Sequence, residues 1–282
     1  MHTIVLAGGL GNQIFMIFAV LGYGLQYKLP FYFETHPIVL GTRKKEYWDT
    51  LFVNFARFRR PISTSVIQRE VNFGYNPIPY YPPDFCFKLY GYFQSYKYFH
   101  DYRTEIFQIM ELENIKNTVR DKVKEEYNNW ENSVSLHFRI GDYKKNPDYH
   151  PILPITYYEK ALKKLIEDTG RDDWTILIYG EEEDKKIIVQ HVNQLLQQFT
   201  SLNFKRLHIK LDDYEEMLTM SLCRHHIIAN SSFSYFGAYF NTHEGGNIQV
   251  YYPSVWLGRA FQKKNKNDED RCLPSWTKID AL

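Results

Sequence analysis

Cysteine is scarce in this chain. Its 282 residues include three, Cys86, Cys223 and Cys272, far apart and odd in number. They form neither a disulfide framework nor the CxxC spacing of a zinc site, which makes a reducing compartment the default. An excess of either charge is also missing, since 34 basic side chains face 33 acidic ones for a net charge of +1. Binders of nucleic acid need a surplus of cations to displace counterions, so that class is excluded. Long hydrophobic runs are absent too. The longest, Ile14 to Leu25, is broken by two glycines and falls short of the roughly 20 residues that a bilayer requires. Met1-His2 has no basic character, and no small-residue cleavage site follows an apolar run. The expectation is a cytoplasmic protein, neither secreted nor membrane-spanning.

Metal-binding patterns are missing as well: there is no HExxH and no DxD. His225 and His226 are adjacent, so in a strand they point to opposite faces and cannot chelate together. The acidic run Glu181 to Asp184 reads as a solvated helix start rather than a metal site. No metal and no other cofactor is expected. Repeats and low-complexity tracts are absent.

What the chain does have is aromatic residues, 17% of the total with 23 Tyr and 20 Phe. Such side chains suit stacking on sugars or bases, although most belong in a core. Thr3 to Ala7 is a β-rich run followed by Gly8-Gly9-Leu10-Gly11-Asn12-Gln13 and an apolar helical stretch from Ile14 to Gln26, the opening of an α/β unit. Phe31 to Glu34 and Leu89 to Phe93 read as strands, and Ile106 to Asn128 as helix. Thr35 to Lys88 is rich in Pro and aromatics and reads as irregular. From Ser133 onward, strands at Ser133–Phe138, Trp174–Tyr179, Phe204–Leu207, His226–Ala229 and Asn247–Tyr252 alternate with helices at Ile155–Asp168, Lys185–Phe199, Asp213–Cys223 and Phe233–Asn241. That alternation marks a parallel sheet covered on both faces. Two α/β domains follow, 1–128 on the acceptor side and 129–262 binding a nucleotide, with a boundary near Asn128 and a tail at 263–282. In that tail Gln262 to Asp270 reads as charged loop and Trp276 as the anchor of a last segment.

Three motifs carry chemistry. In Leu136-His137-Phe138-Arg139-Ile140-Gly141-Asp142-Tyr143, an arginine stands at the carboxyl end of a strand, where open α/β sheets bind ligands. Its planar fork can give two parallel hydrogen bonds to phosphate and stabilise a departing diphosphate. Asp142 could orient Arg139 or cap the turn; the plainer reading is a surface Arg139–Asp142 pair. Asn230-Ser231-Ser232-Phe233-Ser234 precedes a helix, and hydroxyls with backbone N–H groups there make an anion site. An ordinary serine N-cap explains one of them. Gly8 to Gln13 lacks GxGxxG spacing, but its Asn12 and Gln13 amides suit sugar hydroxyls.

Together these segments resemble glycosyltransferase family 11, the α-1,2-fucosyltransferases. Gly8 to Phe15 resembles the family's GGLGNQxF, Gly91 to Phe99 its GYxQSxKYF, His137 to Tyr143 its HxRRGDY, and Asn230 to Ala238 its NSSFSWWGA. Leu273 to Trp276 is similar to its C-terminal ending. The resemblance implies a GT-B-like α/β fold of two facing Rossmann-like domains with a cleft between them. It implies inverting, metal-independent transfer of L-fucose from GDP-β-L-fucose to a sugar hydroxyl of a glycan acceptor, giving an α-1,2 linkage. Arg139 would bind the pyrophosphate, supported by His137 and Asp142. Asn230, Ser231, Ser232 and Ser234 would line the donor site, and Gly11, Asn12 and Gln13 the sugar or acceptor side. Asp142, Asp148 and His150 stand as candidate general bases. Three departures matter. Ile140 replaces a second arginine, Tyr235-Phe236 replaces Trp-Trp, and Tyr179-Gly180-Glu181-Glu182 replaces FSDD. Another GDP-sugar as donor, GDP-mannose or GDP-rhamnose, and a non-catalytic carbohydrate-binding protein are the alternative readings.

Overall fold

The computed structural model describes residues 2–35, 45–62, 66–243, 246–262 and 269–281. Contacts divide the chain into two compact units, 1–117 with 265–273 and 118–264 with 274–282.

The first unit is built on a small parallel sheet. Strands β1 (His2–Ile4), β2 (Phe33–Glu34), β3 (Arg59–Arg60), β4 (Val66–Arg69) and β5 (Phe87–Tyr90) form a three-stranded sheet in the order β1-β5-β4 and a separate β2-β3 pair. Helix α1 (Leu10–Tyr27) follows the glycine turn and is apolar on every side, which is possible only inside a core. Ile14 through Leu21 lie at zero exposure. Phenylalanines fill the core of the unit: Phe18 of α1 meets Phe99 edge-on at 5.4 Å, and elsewhere Phe52 stacks on Phe55 at 6.2 Å. Much of the aromatic excess is core in this sense.

The Pro-rich region has less regular structure than its neighbours but is not loose. Tyr23 donates to the Pro79 carbonyl at 3.1 Å and accepts from the Tyr81 amide at 3.0 Å, while Tyr98 does the same for both backbone groups of Asn76. Tyrosine hydroxyls thus replace the ladder bonds that the prolines forbid. Positions 36–44 and 63–65 of the expected irregular stretch lie outside the described residues. The single helix expected from Ile106 is two, α2 (Arg103–Met110) and α3 (Leu112–Val123), parted at Glu111 by a left-handed φ of 54°. The contact division of the chain falls within α3, between Asn117 and Thr118.

The second unit is the alternating one. It contains β6 (Ser133–His137), α4 (Ile155–Thr169), β7 (Thr175–Tyr179), α5 (Lys185–Gln198), β8 (Asn203–Lys205), α6 (Asp213–Leu222), β9 (His225–Ile227), α7 (Ser232–Tyr239), β10 (Val250–Pro253), α8 (Arg259–Gln262) and β11 (Thr277–Ile279). All its strands pair in parallel, in the spatial order β8-β7-β6-β9-β10-β11. The chain runs outward from β6 to β8, returns beside β6 as β9, then runs outward the other way. This is the doubly wound order, and its reversal point lies between β6 and β9. Both faces are covered. Ile176 and Ile178 of β7 pack with α4 and α5, and Leu177 and Tyr179 pack on the other face with Met220 and Leu222. The expected charged loop falls largely on 263–268, outside the described residues. Within the rest of the tail, β11 is an edge strand of this sheet, with Trp276 buried 4.9 Å from the Tyr235 ring.

Among the described residues no helix is long and apolar enough to cross a membrane. His225 and His226 do face opposite ways: His225 meets Trp174 at 4.7 Å, and His226 bridges Ser135 and Asn241.

Candidate active site at the strand reversal

Where β6 and β9 part, the last carbonyl of β6, His137 O, and the carbonyl just beyond β9, Ile228 O, take partners from outside the strands. Two adjacent tyrosines of α4 supply them. Tyr158 donates to His137 O at 3.1 Å, and Tyr157 donates to Ile228 O at 2.5 Å. The opening is thereby braced, and the two loops that leave it carry the two motifs singled out in the sequence.

The first loop carries Arg139, whose side chain is 12% exposed. One terminal nitrogen, Nη1, donates to Glu181 Oε1 at 2.5 Å, and Nη2 pairs with Asp142. The Tyr143 ring lies 4.9 Å from the guanidinium carbon. The plain Arg139–Asp142 pair is therefore real, and Glu181, from the end of β7, is the second acid on the fork. The turn itself is fixed from below by Asp184, which is 2% exposed. Its Oδ2 accepts from the Gly141 amide at 2.6 Å, and its other oxygen pairs with Lys144. Gly141 adopts a φ of +20°, and a Cβ there would stand 2.3 Å from Glu181 Oε2, so the approach of Glu181 to Arg139 needs a residue without one.

The second loop carries Asn230 to Ser234. Ser231 caps α7, its Oγ accepting from the Phe233 amide at 3.3 Å. Ser234 is fully buried and bonds Ala229 and Ser231 backbone, so it shapes the turn from beneath. Asn230 donates to the Pro151 and Trp256 carbonyls at 2.9 and 3.3 Å. Ser232 alone of the four is only partly buried. The two loops are joined directly: the Tyr143 hydroxyl donates to the Asn230 carbonyl at 2.8 Å.

Electrostatics separates the candidate acids and bases. Burial, helped by the Arg139 charge, pulls His137 down to about 3, so its imidazole is neutral throughout the working range. It packs 5.7 Å from the Phe233 ring. His150 stacks on Tyr143 at 4.8 Å, and its pKa is lowered mainly by burial, with Asp142 raising it and Arg139 lowering it further. Asp148 is exposed. On the far side of Glu181, burial pushes Glu216 up to about 7. Arg206 donates to Gly180 O at 2.8 Å and pairs with Glu182 at 3.1 Å. Among the described residues no three His, Cys, Asp or Glu side chains gather as a metal site.

The first unit holds the remaining sequence candidates. Gly11, Asn12 and Gln13 lie in the first turn of α1, not in a loop before it. Gln13 is buried and donates to Gly8 O and Lys45 O at 3.1 and 2.9 Å. Asn12 is partly exposed, and its Oδ1 accepts from Gln94 Nε2 at 2.8 Å. That bond brings the GGLGNQ and GYFQS segments together.

Sequence reasoning missed Asp184, Tyr157 and Tyr158. Asp184 was hidden in an acidic run that reads as solvated. The tyrosine pair carried no sequence signal beyond its place at the start of a helix.

A family model described as Glycosyl transferase family 11 matches residues 74–280. The O-antigen biosynthesis glycosyltransferase WbnK of Escherichia coli is 32% identical over 153 residues, 52% of this chain and 45% of that protein. An alpha-1,2-colitosyltransferase of Escherichia coli is 26% identical over 194 residues, 67% of this chain and 61% of that protein. The matches thus span less than two thirds of either relative's length. Among solved structures, a glycosyl transferase of family 9 from Veillonella parvula superposes with a TM-score of 0.45 at 9% identity, covering 100% of this chain and 87% of that one.

Proposed function

The chain belongs to glycosyltransferase family 11, and from that premise we propose that it transfers L-fucose from GDP-β-L-fucose to a hydroxyl of a glycan acceptor. In this reading the transfer inverts the anomeric carbon, needs no metal and forms an α-1,2 linkage. The second unit takes the donor and the first serves the acceptor. The observation that carries the reading is the meeting of two motifs at the reversal of the second sheet, where Tyr143 joins the Arg139 loop to Asn230 and the Ser231-capped helix.

The chemistry follows from those groups. Arg139 presents a fork already oriented by Glu181 and Asp142. A diphosphate takes the same two nitrogens from the carboxylates, bringing a matched acceptor for a bidentate donor. As the bond to the sugar breaks, negative charge grows on the GDP oxygen, and Arg139 with the α7 N-terminus stabilises it. His137 stays neutral and acts by packing, not by charge. The acceptor hydroxyl must lose a proton. Asp142, once the diphosphate has displaced it, and Asp148 are both exposed carboxylates, whereas His150 is held against Tyr143 and kept neutral by burial. His150 is therefore the base to test. Three free thiols accord with a cytoplasmic location.

A second reading changes the donor sugar while keeping the site. The relative named as a colitosyltransferase favours it, and GDP-mannose and GDP-rhamnose belong to the same group of candidates. Thermal shift tests both. GDP is expected to raise the melting temperature and UDP to leave it unchanged, because a ligand stabilises the fold it binds. Release of GDP from each GDP-sugar in the presence of galactose-terminated oligosaccharides then identifies the sugar. No stabilisation by GDP, or binding of oligosaccharides without any GDP release, would return the chain to the class of carbohydrate-binding proteins.

A further inference from the structure

We propose that Glu70 is a positioning residue for this transfer, fixing the turn at 91–93 and thereby setting Gln94 against Asn12. The proposal rests on the reading that Asn12 serves the sugar or acceptor side. Glu70 lies outside every motif, at the carboxyl end of β4. Its own amide donates to Tyr90 O at 2.9 Å, which ties it to the end of β5. Its carboxylate then accepts two consecutive backbone N–H groups, Tyr92 on Oε2 at 2.7 Å and Phe93 on Oε1 at 2.9 Å.

The backbone that it holds is one that would not hold itself. Gly91 sits at a φ of 155°, and a Cβ there would stand 2.3 Å from Glu70 Cβ. Phe93 adopts a left-handed φ of 50°, an outlier for a bulky side chain that persists only when its surroundings over-determine it. The Ser95 amide closes the turn on Phe93 O at 2.8 Å. The next side chain along, Gln94, makes the 2.8 Å bond to Asn12. One carboxylate thus sets the register of the amide pair that joins the two N-terminal motifs.

Protonation should cost the turn one of its two bonds while Glu70 stays buried. A carboxylate accepts both N–H groups, whereas the acid presents an O–H donor to one of them. Burial pushes Glu70 up to about 7; the two backbone bonds and the charge of Arg271 pull the other way. The other titratable groups facing it, Tyr92 and Tyr98, are themselves raised by burial and stay neutral.

The test compares wild type with Glu70→Gln, Glu70→Ala, Gln94→Ala and Asn12→Ala. Melting curves first show that each variant is folded, and GDP titration should give an unchanged affinity because the donor groups lie in the second unit. GDP release from GDP-fucose with galactose-terminated oligosaccharides, and hydrogen exchange of residues 90–96, are then followed across pH. We expect Glu70→Gln to lower kcat by about 10- to 100-fold, the scale of a misplaced contact group, with the donor KM unchanged. Exchange at 92–94 should quicken, and the acidic limb that wild type shows near pH 7 should vanish. Glu70→Ala should behave like Glu70→Gln, whereas Gln94→Ala should lower kcat with exchange at 92–93 unchanged. If Asn12→Ala is impaired while Glu70→Gln keeps wild-type exchange and turnover, the positioning role is overturned and the acceptor reading stands. If Asn12→Ala itself turns over normally, or if wild type releases no GDP, the reading beneath the proposal fails and takes the proposal with it.

Discussion

Replacing Tyr143 with phenylalanine removes one oxygen from the point where the two loops of the site meet. The hydroxyl gives a 2.8 Å bond to the Asn230 carbonyl in a partly buried setting. A neutral hydrogen bond of this kind contributes about 1 kcal/mol net. The phenyl ring that remains still lies under Arg139 and against His150, contacts of 4.9 and 4.8 Å that need no oxygen. Tyr143→Phe should therefore lower the melting temperature by about 2–4 °C, the shift that about 1 kcal/mol produces in a domain of 150–250 residues. It should weaken GDP by roughly fivefold, the same free energy read as affinity. Tyr143→Ala should do clearly worse on both counts, because it removes the ring as well. Differential scanning fluorimetry and calorimetric titration with GDP give the two numbers. A Tyr143→Phe protein with wild-type melting and wild-type GDP affinity would refute the claim that this bond couples the loops. Lost stability with unchanged affinity would show a strut that the ligand does not feel.

Three further outcomes follow from the same geometry. Asp184→Ala leaves the Gly141 amide without its acceptor and Lys144 without its partner, and should cost about 2 kcal/mol in a denaturant titration. Glu181→Gln removes a competitor for the Arg139 fork, and GDP should bind about two- to fivefold more tightly, the scale of a partly exposed ion pair. The pH dependence of stability should have two regimes. His2 and His225, held down to about 4, and His137, held down to about 3, are all lowered chiefly by burial, so the unfolded chain binds more protons than the native one below pH 6.5. Their contribution is fully present above pH 6.5 and lost as pH falls, by a few kcal/mol each at about 1.4 kcal/mol per unit. Glu70 and Glu216, raised by burial to about 7, act oppositely, losing stability as pH rises from about 4.5 to 7. The two sets offset one another between about pH 4.5 and 6.5, and unfolding should steepen below that window. A midpoint that falls evenly from pH 7 to 3 would contradict this assignment.

Much of the second unit was legible because its strands are short apolar runs with helical patterns between them. Ser133 to His137 and Thr175 to Tyr179 stand within a residue of expectation. The reversal between β6 and β9 was not legible, since strand order depends on pairing partners far apart in sequence. Helix breaks without Gly or Pro also escaped, as at Glu111, where tertiary packing imposes a left-handed residue on a continuous pattern. The edge strand β11 has three residues, too few for any periodicity. At the candidate site, Arg139 and the Asn230 to Ser234 segment stand out in the sequence because their residue types are unusual at strand ends. The acids that hold the turns at Gly141 and at 91–93 do not stand out. Asp184 and Glu70 look like surface acids in sequence, and only the backbone amides aimed at them show what they do. Gln13 and Ser234 also bond their own backbone, Gln13 through Nε2 to Gly8 O and Ser234 through Oγ to the Ala229 amide.

The central claim is that Arg139 holds a donor diphosphate through a two-nitrogen fork. Titration of GDP into wild type, Arg139→Lys and Arg139→Ala tests it most directly, with melting curves to confirm folding. A lysine keeps the charge but not the fork, so the account predicts that both variants lose GDP affinity by about 10- to 100-fold, the loss expected of one or two charge-assisted hydrogen bonds. Folded Arg139→Lys and Arg139→Ala proteins that bind GDP as wild type does would contradict it.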